Sequence, residues 1–197
     1  MGGTRMLVVT LALTLAAPAA AQMPVDIYDT ATGAERLGTV ALMDEVGGGV
    51  RFTPDLAGVL PTGEHGFHVH VNPDCGMGGQ AAGGHYDPGN TGRHEGPAGG
   101  GHLGDLPRLT SNAGRVVTPV VAPRLSTADL VGRALVIHEG GDNYSDSPAP
   151  LGGGGARLAC GVVPASVPGM PPAAILALLA LLLAAGALAR RRALLPS

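Results

Sequence analysis

Gly63-Glu64-His65-Gly66-Phe67-His68-Val69-His70 opens a stretch that runs to Asp105 and holds six of the seven histidines of this 197-residue chain. In an extended strand, side chains alternate between faces, so Phe67 and Val69 share one face and His68 and His70 the other. The apolar pair therefore reads as core-facing, and the imidazole pair as aimed at a separate site. His65 has the parity of Phe67 and Val69 and reads as a buried, hydrogen-bonded structural histidine. The stretch continues through Gly83-Gly84-His85-Tyr86-Asp87-Pro88 and Thr91-Gly92-Arg93-His94-Glu95-Gly96-Pro97, and closes with Gly101-His102-Leu103-Gly104-Asp105-Leu106-Pro107. The seventh histidine is His138.

Two histidines on one strand face would mean little alone. Five further candidate ligands follow them: His85, His94, His102, Asp105 and His138. Imidazole nitrogen suits zinc and copper, and three histidines with one carboxylate close a tetrahedral zinc site. Seven protein ligands are too many for one such ion. Two adjacent ions sharing one imidazole would use them all, since each ring carries two nitrogens. With no free soft ligand beside the histidines, the set is compatible with Cu(II) beside Zn(II).

Composition bounds what surrounds this site. Aromatic content is 3 %, Trp is absent and glycine numbers 33, so the core must rest on Val, Leu, Ile and Ala. The chain has no Lys; its 12 basic residues are all Arg, and the formal charge is −3. No basic stripe is available to neutralise phosphates, which argues against nucleic acid as a partner.

Both ends read as targeting segments. Arg5, the apolar run Met6 to Ala17 and the small residues Pro18-Ala19-Ala20-Ala21 predict a secretory signal peptide over 1–21, with the exported chain starting near Gln22. In an oxidising compartment the two cysteines, Cys75 and Cys160, are expected to pair as a disulfide. After the breaker Val167-Pro168-Gly169-Met170-Pro171-Pro172, the seventeen small or apolar residues Ala173 to Ala189 precede Arg190-Arg191-Arg192. As a helix this run spans roughly 25 Å, slightly less than a ~30 Å bilayer core. The arginines would stay in the cytoplasm and leave the globular part outside. The expectation is a C-terminal transmembrane-like helix that either anchors the protein to the membrane or serves as a cleaved sorting tail of exosortase or rhombosortase type. The Val-Pro-Gly-Met-Pro element departs from the usual sorting motif.

Residues 22–166 read as one all-β domain. Short, often β-branched runs at 25–28, 36–43, 50–54, 66–71, 116–121, 134–138 and 157–163 are broken by Gly, Pro, Asn and Asp, and no stretch holds a helical period. About eight antiparallel strands with turn-rich connections predict a Greek-key β-sandwich or barrel. Two long loops, 72–106 and 139–156, exceed the usual length and are expected to be functional and stapled.

On these residues the chain resembles the copper/zinc superoxide dismutases of the exported bacterial type. The resemblance covers essentially all of 24–163. It rests on the motif at 63–70, the His85, His94 and His102 segments with Gly-His-Leu-Gly-Asp-Leu-Pro at 101–107, Val-Ile-His at 136–138, Gly-Gly-Asp-Asn-Tyr-Ser-Asp at 140–146, and Gly-Gly-Gly-Gly-Ala-Arg-Leu-Ala-Cys-Gly-Val at 152–162. It implies that His68, His70, His85 and His138 bind copper, while His85, His94, His102 and Asp105 bind zinc, with His85 as the shared imidazolate. Asp142 would hydrogen-bond ligands of both metals and fix their rings. Arg157 would attract and position the substrate anion, and Cys75 with Cys160 would tie the long loop to the last strand.

The implied reaction is the disproportionation of superoxide to O2 and hydrogen peroxide. Copper would cycle between Cu(II) and Cu(I), and His85 would leave reduced copper and carry a proton. From 22 to 166 there are eight Arg against fifteen Asp plus Glu, a formal −7. Attraction of the anion must then be local, at the metals, Arg157 and Arg93, rather than global. The implied setting is the periplasm, for antioxidant defence in the cell envelope, and the resemblance admits either a monomer or a homodimer. Three rival readings stand beside it. A copper or zinc buffer would keep the histidines but need neither Arg157 nor a shared ring. A zinc hydrolase would need a general base and a metal-bound water. A surface protein stapled by metals would not explain Arg157.

Overall fold

Alternation sets the sheet. In strand β1, Met23–Asp29, every second residue is buried, and β2, Arg36–Asp44, and β3, Val50–Ala57, follow by antiparallel hairpins. The computed structural model describes residues 22–58 and 60–165. The expected signal peptide and C-terminal apolar helix lie outside the described residues. Among the described residues no helix is long and apolar enough to cross a membrane.

The remaining strands are β4 (Gly63–His65), β5 (Phe67–His70), β6 (Leu109–Ser111), β7 (Arg115–Val116), β8 (Val120–Ala122), β9 (Ala134–His138) and β10 (Arg157–Val162), with one four-residue helix, α1, at Thr127–Leu130. Eight strands form one antiparallel sheet in the order β5-β9-β10-β1-β2-β3-β7, with β8 also paired to β3, while β4 and β6 make a separate pair. The sheet curls into a half-barrel, and the last strand, β10, returns beside the first.

Ten strands replace the expected eight for local reasons. The run expected over 66–71 is β5, and β4 precedes it across Gly66 as a further strand that was not expected. A Cβ on Gly66 would lie 3.1 Å from His68 Cε1, so glycine leaves room for that ring. The run expected over 116–121 is interrupted before Pro119, which has no N–H to give a ladder. The three-residue β6 is too short to show a period.

Inside the curl, Phe52 and Phe67, both fully buried, meet edge to face with centroids 5.4 Å apart. They are the two Phe of the chain. Around them pack Ile27, Val40, Leu42, Leu56, Val69, Leu135 and Ile137, so β5 and β9 are anchored by their inward residues and present their alternate face to the long loops.

Candidate metal centre

Strand parity places the first histidines as expected: Phe67 and Val69 are fully buried in the core, and His68 and His70 lie on the opposite face, also buried because loops cover them. β9 runs antiparallel beside β5 and carries His138 at its end. The loop folds back so that His70 bridges to His85 and His68 to Asp105. Backbone bonds lock this return: Tyr86 N–H donates to Val69 O at 2.8 Å, Gly104 N–H to Tyr86 O at 2.8 Å and Val69 N–H to Gly104 O at 2.9 Å. His65 stays out of the cluster, its ring spanning the carbonyl oxygens of His138 at 2.7 Å and Pro61 at 2.9 Å.

Two donor sets result. His68, His70, His85 and His138 form one, and His85, His94, His102 and Asp105 the other, with the ligand atoms of each within 4.8 Å of one another. His85 belongs to both. Its Nδ1 lies 3.0 Å from Asp105 Oδ1, which leaves Nε2 for the first set. Nδ1 of His94 and Nδ1 of His102 lie 2.9 Å and 3.4 Å from the same oxygen. Despite that proximity, both nitrogens are buried without a hydrogen-bond partner. With His85 and the Asp105 carboxylate they form one set of four buried donors. Ligands of tetrahedral zinc sit about 3.3 Å apart when each bond is about 2.0 Å, so this donor set fits the ion.

The other set fits a cation by a different argument. His70 Nδ1–H donates to Gly83 O at 2.9 Å and His138 Nδ1–H to Gly155 O at 3.3 Å, which leaves both Nε2 atoms as lone pairs. Those two Nε2 atoms face each other at 3.4 Å, where neither can donate to the other. His68 Nδ1 is likewise buried and unpaired. Burial holds these rings neutral: it brings His68 down to about 3 against the pull of Asp142, His70 to about 2 and His138 to about 4. Neutral imidazoles with unpaired nitrogens are what copper and zinc require.

Asp142 links the sets. It accepts from His68 Nε2–H at 2.9 Å, from His94 Nε2–H at 2.8 Å and from Tyr144 N–H at 2.7 Å. Burial disfavours a charge on His94, yet Asp105 and Asp142 on either side outweigh it and push the ring up to about 9. The same negative field suits a divalent cation, which would displace that proton. Burial alone would raise Asp105 and Asp142, but the bond from His85 and the adjacent His94 ring hold the first well below the carboxylate range, and bonds from His68 and His94 hold the second there.

A pocket of about 180 Å³ opens beside the first set, lined by His85, His138, Arg157, Gln80, Pro150 and Leu151 among others. Arg157 is held there by Gly79 O at 2.6 Å and Gly83 O at 2.7 Å. Gly83 O also orients His70, so one carbonyl serves both. Cys75 and Cys160 are disulfide-bonded, which ties this loop to β10. Arg93, expected to help attract an anion, is instead paired with Glu95 at 2.9 Å on the surface and does not line the pocket.

Three side chains in this region carry no sequence signal of their role. Arg124 donates to the carbonyls of Pro97, Gly101 and His102, clasping the loop that brings in His102. Asp146 accepts from His94 N–H at 2.8 Å. Arg108 donates to Asp142 O at 2.8 Å.

Comparison with known proteins follows the same lines. Residues 37–163 match the family described as "Copper/zinc superoxide dismutase (SODC)". Cu-Zn superoxide dismutase 2 of Salmonella typhimurium is 55 % identical over 139 residues, covering 66 % of this chain and 79 % of the relative. The Cu-Zn superoxide dismutase of Escherichia coli K12 is 50 % identical over the same length and coverage. The solved Cu/Zn superoxide dismutase from Brucella abortus superposes with a TM-score of 0.67 at 49 % identity, covering 72 % of this chain and 99 % of that one. A match over more than half the chain, carried by the segments that build both donor sets, establishes that this chain belongs to the copper/zinc superoxide dismutase family.

Proposed function

We propose that this protein disproportionates superoxide, with copper held by His68, His70, His85 and His138 and zinc by His85, His94, His102 and Asp105. The observation that carries the reading is His85, whose ring belongs to both donor sets. Bound copper would supply one-electron exchange between Cu(II) and Cu(I), through which two superoxide ions and two protons would give O2 and hydrogen peroxide.

The chain's own residues do the rest. Arg157 binds the anion at the pocket mouth; the carbonyls of Gly79 and Gly83 fix its guanidinium and leave further N–H groups to donate. His85 carries a proton at Nε2, because Asp105 at Nδ1 holds the ring orientation while the other nitrogen faces the first set. Burial keeps His70 and His138 neutral, and the Gly83 and Gly155 carbonyls keep their Nε2 atoms aimed inward. Asp142 keeps His68 and His94 in fixed orientation.

We read the protein as exported to the periplasm. The Arg5 and apolar-run pattern supports export, and the Cys75–Cys160 disulfide is in keeping with an oxidising compartment. The apolar run 173–189 followed by three arginines supports tethering to the inner membrane from outside. The Greek-key barrel is the reading of the half-barrel, supported by the return of β10 beside β1.

The test is superoxide consumption by the purified protein with copper and zinc quantified in the same sample. Fast, cyanide-sensitive activity that scales with copper content is the expected result. Full loading with both metals and no activity would overturn the proposal in favour of a metal-binding role.

A further inference from the structure

Behind the Asp142 carboxylate, on the side away from the pocket that holds Arg157, lies a shallow cleft of about 300 Å³ lined by Glu64, Arg108, Gly141, Asn143 and Gly152 among others. Arg108 stands at its wall, just before β6, and joins three parts of the molecule. Its Nη1 donates to Asp142 O at 2.8 Å, its guanidinium lies 5.2 Å from the centre of the Tyr144 ring, and its backbone N–H donates to Tyr144 Oη at 3.1 Å. Its Nε pairs with Glu64 on β4 at 3.0 Å.

Tyr144 is held in the left-handed region at φ 57°, which is unfavourable for an aromatic residue and needs support from its surroundings. That conformation delivers Tyr144 N–H to Asp142 Oδ1 at 2.7 Å. The turn 142–144 thus sets the direction of the carboxylate, and the carboxylate holds one ring from each donor set. We infer that Arg108 is a positioning residue for both donor sets, acting through the 142–144 turn and the Asp142 carboxylate. The small sheet of β4 and β6 becomes the platform from which this turn is braced.

The inference rests on the proposed assignment of copper and zinc to the two sets, and its test does not depend on superoxide. Full-length protein and an Arg108→Met variant, each loaded with both metals, are compared by the electron paramagnetic resonance of Cu(II) and by zinc affinity in chelator competition. Loss of an outer partner of metal ligands weakens affinity by about 10-fold at the lower end of the usual range. Arg108→Met is expected to do so and to alter the copper hyperfine pattern. Arg108→Lys, which keeps one donor for the Asp142 carbonyl, is expected to recover part of both. Glu64→Gln removes the exposed pair while leaving the bond to Asp142 and is expected to match the parent.

Parental spectrum and zinc affinity in Arg108→Met would overturn the inference, as would the same changes in Glu64→Gln. Should Arg108→Met fail to fold, Arg108→Lys carries the test, and a parental spectrum there overturns it. A parent that binds both metals but consumes no superoxide would defeat the proposed function while leaving this comparison readable.

Discussion

Removing the Cys75–Cys160 disulfide tests how much the fold leans on its staple. The bond closes a loop of 85 residues, and the chain-entropy relation for that length gives about 4.6 kcal/mol of lost constraint on the unfolded chain at about 25 °C. The double variant Cys75→Ala/Cys160→Ala is therefore expected to lose between about 2 and 5 kcal/mol, the range found for native bridges. The measurement is guanidinium unfolding of the metal-stripped proteins, since bound metal would add its own linkage to the folded state. With an m-value of about 4 kcal/mol per molar, the midpoint should fall by about 1 M. The surviving folded protein should also show a looser 72–83 segment, because Cys75 in it loses its tie to β10 and only bonds such as those from Arg157 to Gly79 and Gly83 remain. A loss below about 1 kcal/mol, outside the range usual for native bridges, would refute the argument.

Further perturbations separate the parts of the site. His138→Ala should abolish dismutation while zinc content and fold persist, because His138 belongs to the first donor set alone; an active variant would remove it from the copper ligands. Arg157→Ala should keep both metals, slow the reaction and flatten its dependence on ionic strength. Salt screens an attraction that acts over about 10 Å at 0.1 M, and rates that match the parent across salt would refute its guiding role. Gly152→Ala should weaken zinc binding by about 10- to 100-fold. Gly152 sits at φ 71°, and its Cβ would lie 2.1 Å from Asp142 Oδ1 and 2.8 Å from His94 Nε2; zinc affinity equal to the parent's would show that the carboxylate is not needed in its place.

Where a period or a local motif existed, the sequence could be read. The parity of Phe67, His68, Val69 and His70 predicted which side chains enter the core and which face the loops, and His65 is buried and hydrogen-bonded as expected. The strand over 134–138 has the expected bounds, since a short apolar run beside His138 has nowhere to pack but the sheet. Pro119 was a readable break within 116–121, and the single expected strand there overlooked it. Arg108 and Arg124 were not legible. Their partners are backbone carbonyls that every residue possesses, reached across 34 and 22 to 27 positions by a long side chain that leaves no periodic trace. Arg93 is likewise a matter of neighbours, its guanidinium pairing on the surface with Glu95.

The metal centre is also a structural core for a molecule whose hydrophobic one is modest. Asp105 and Asp142 are 1 % and 3 % exposed, and among the described residues neither carboxylate is paired with an arginine. Burying a carboxylate without a compensating charge or dense hydrogen bonding is costly. The bonds present come from His68, His85, His94, Tyr144 N–H and Glu95 N–H, and most of the surrounding rings are held neutral by burial. Two divalent cations placed among these groups would supply the missing positive charge and satisfy the unpaired nitrogens of His68, His94 and His102 together. Metal affinity would then become folding free energy, and the loops at 72–106 and 139–156, which have almost no regular structure of their own, would be held by the residues proposed to ligate the metals.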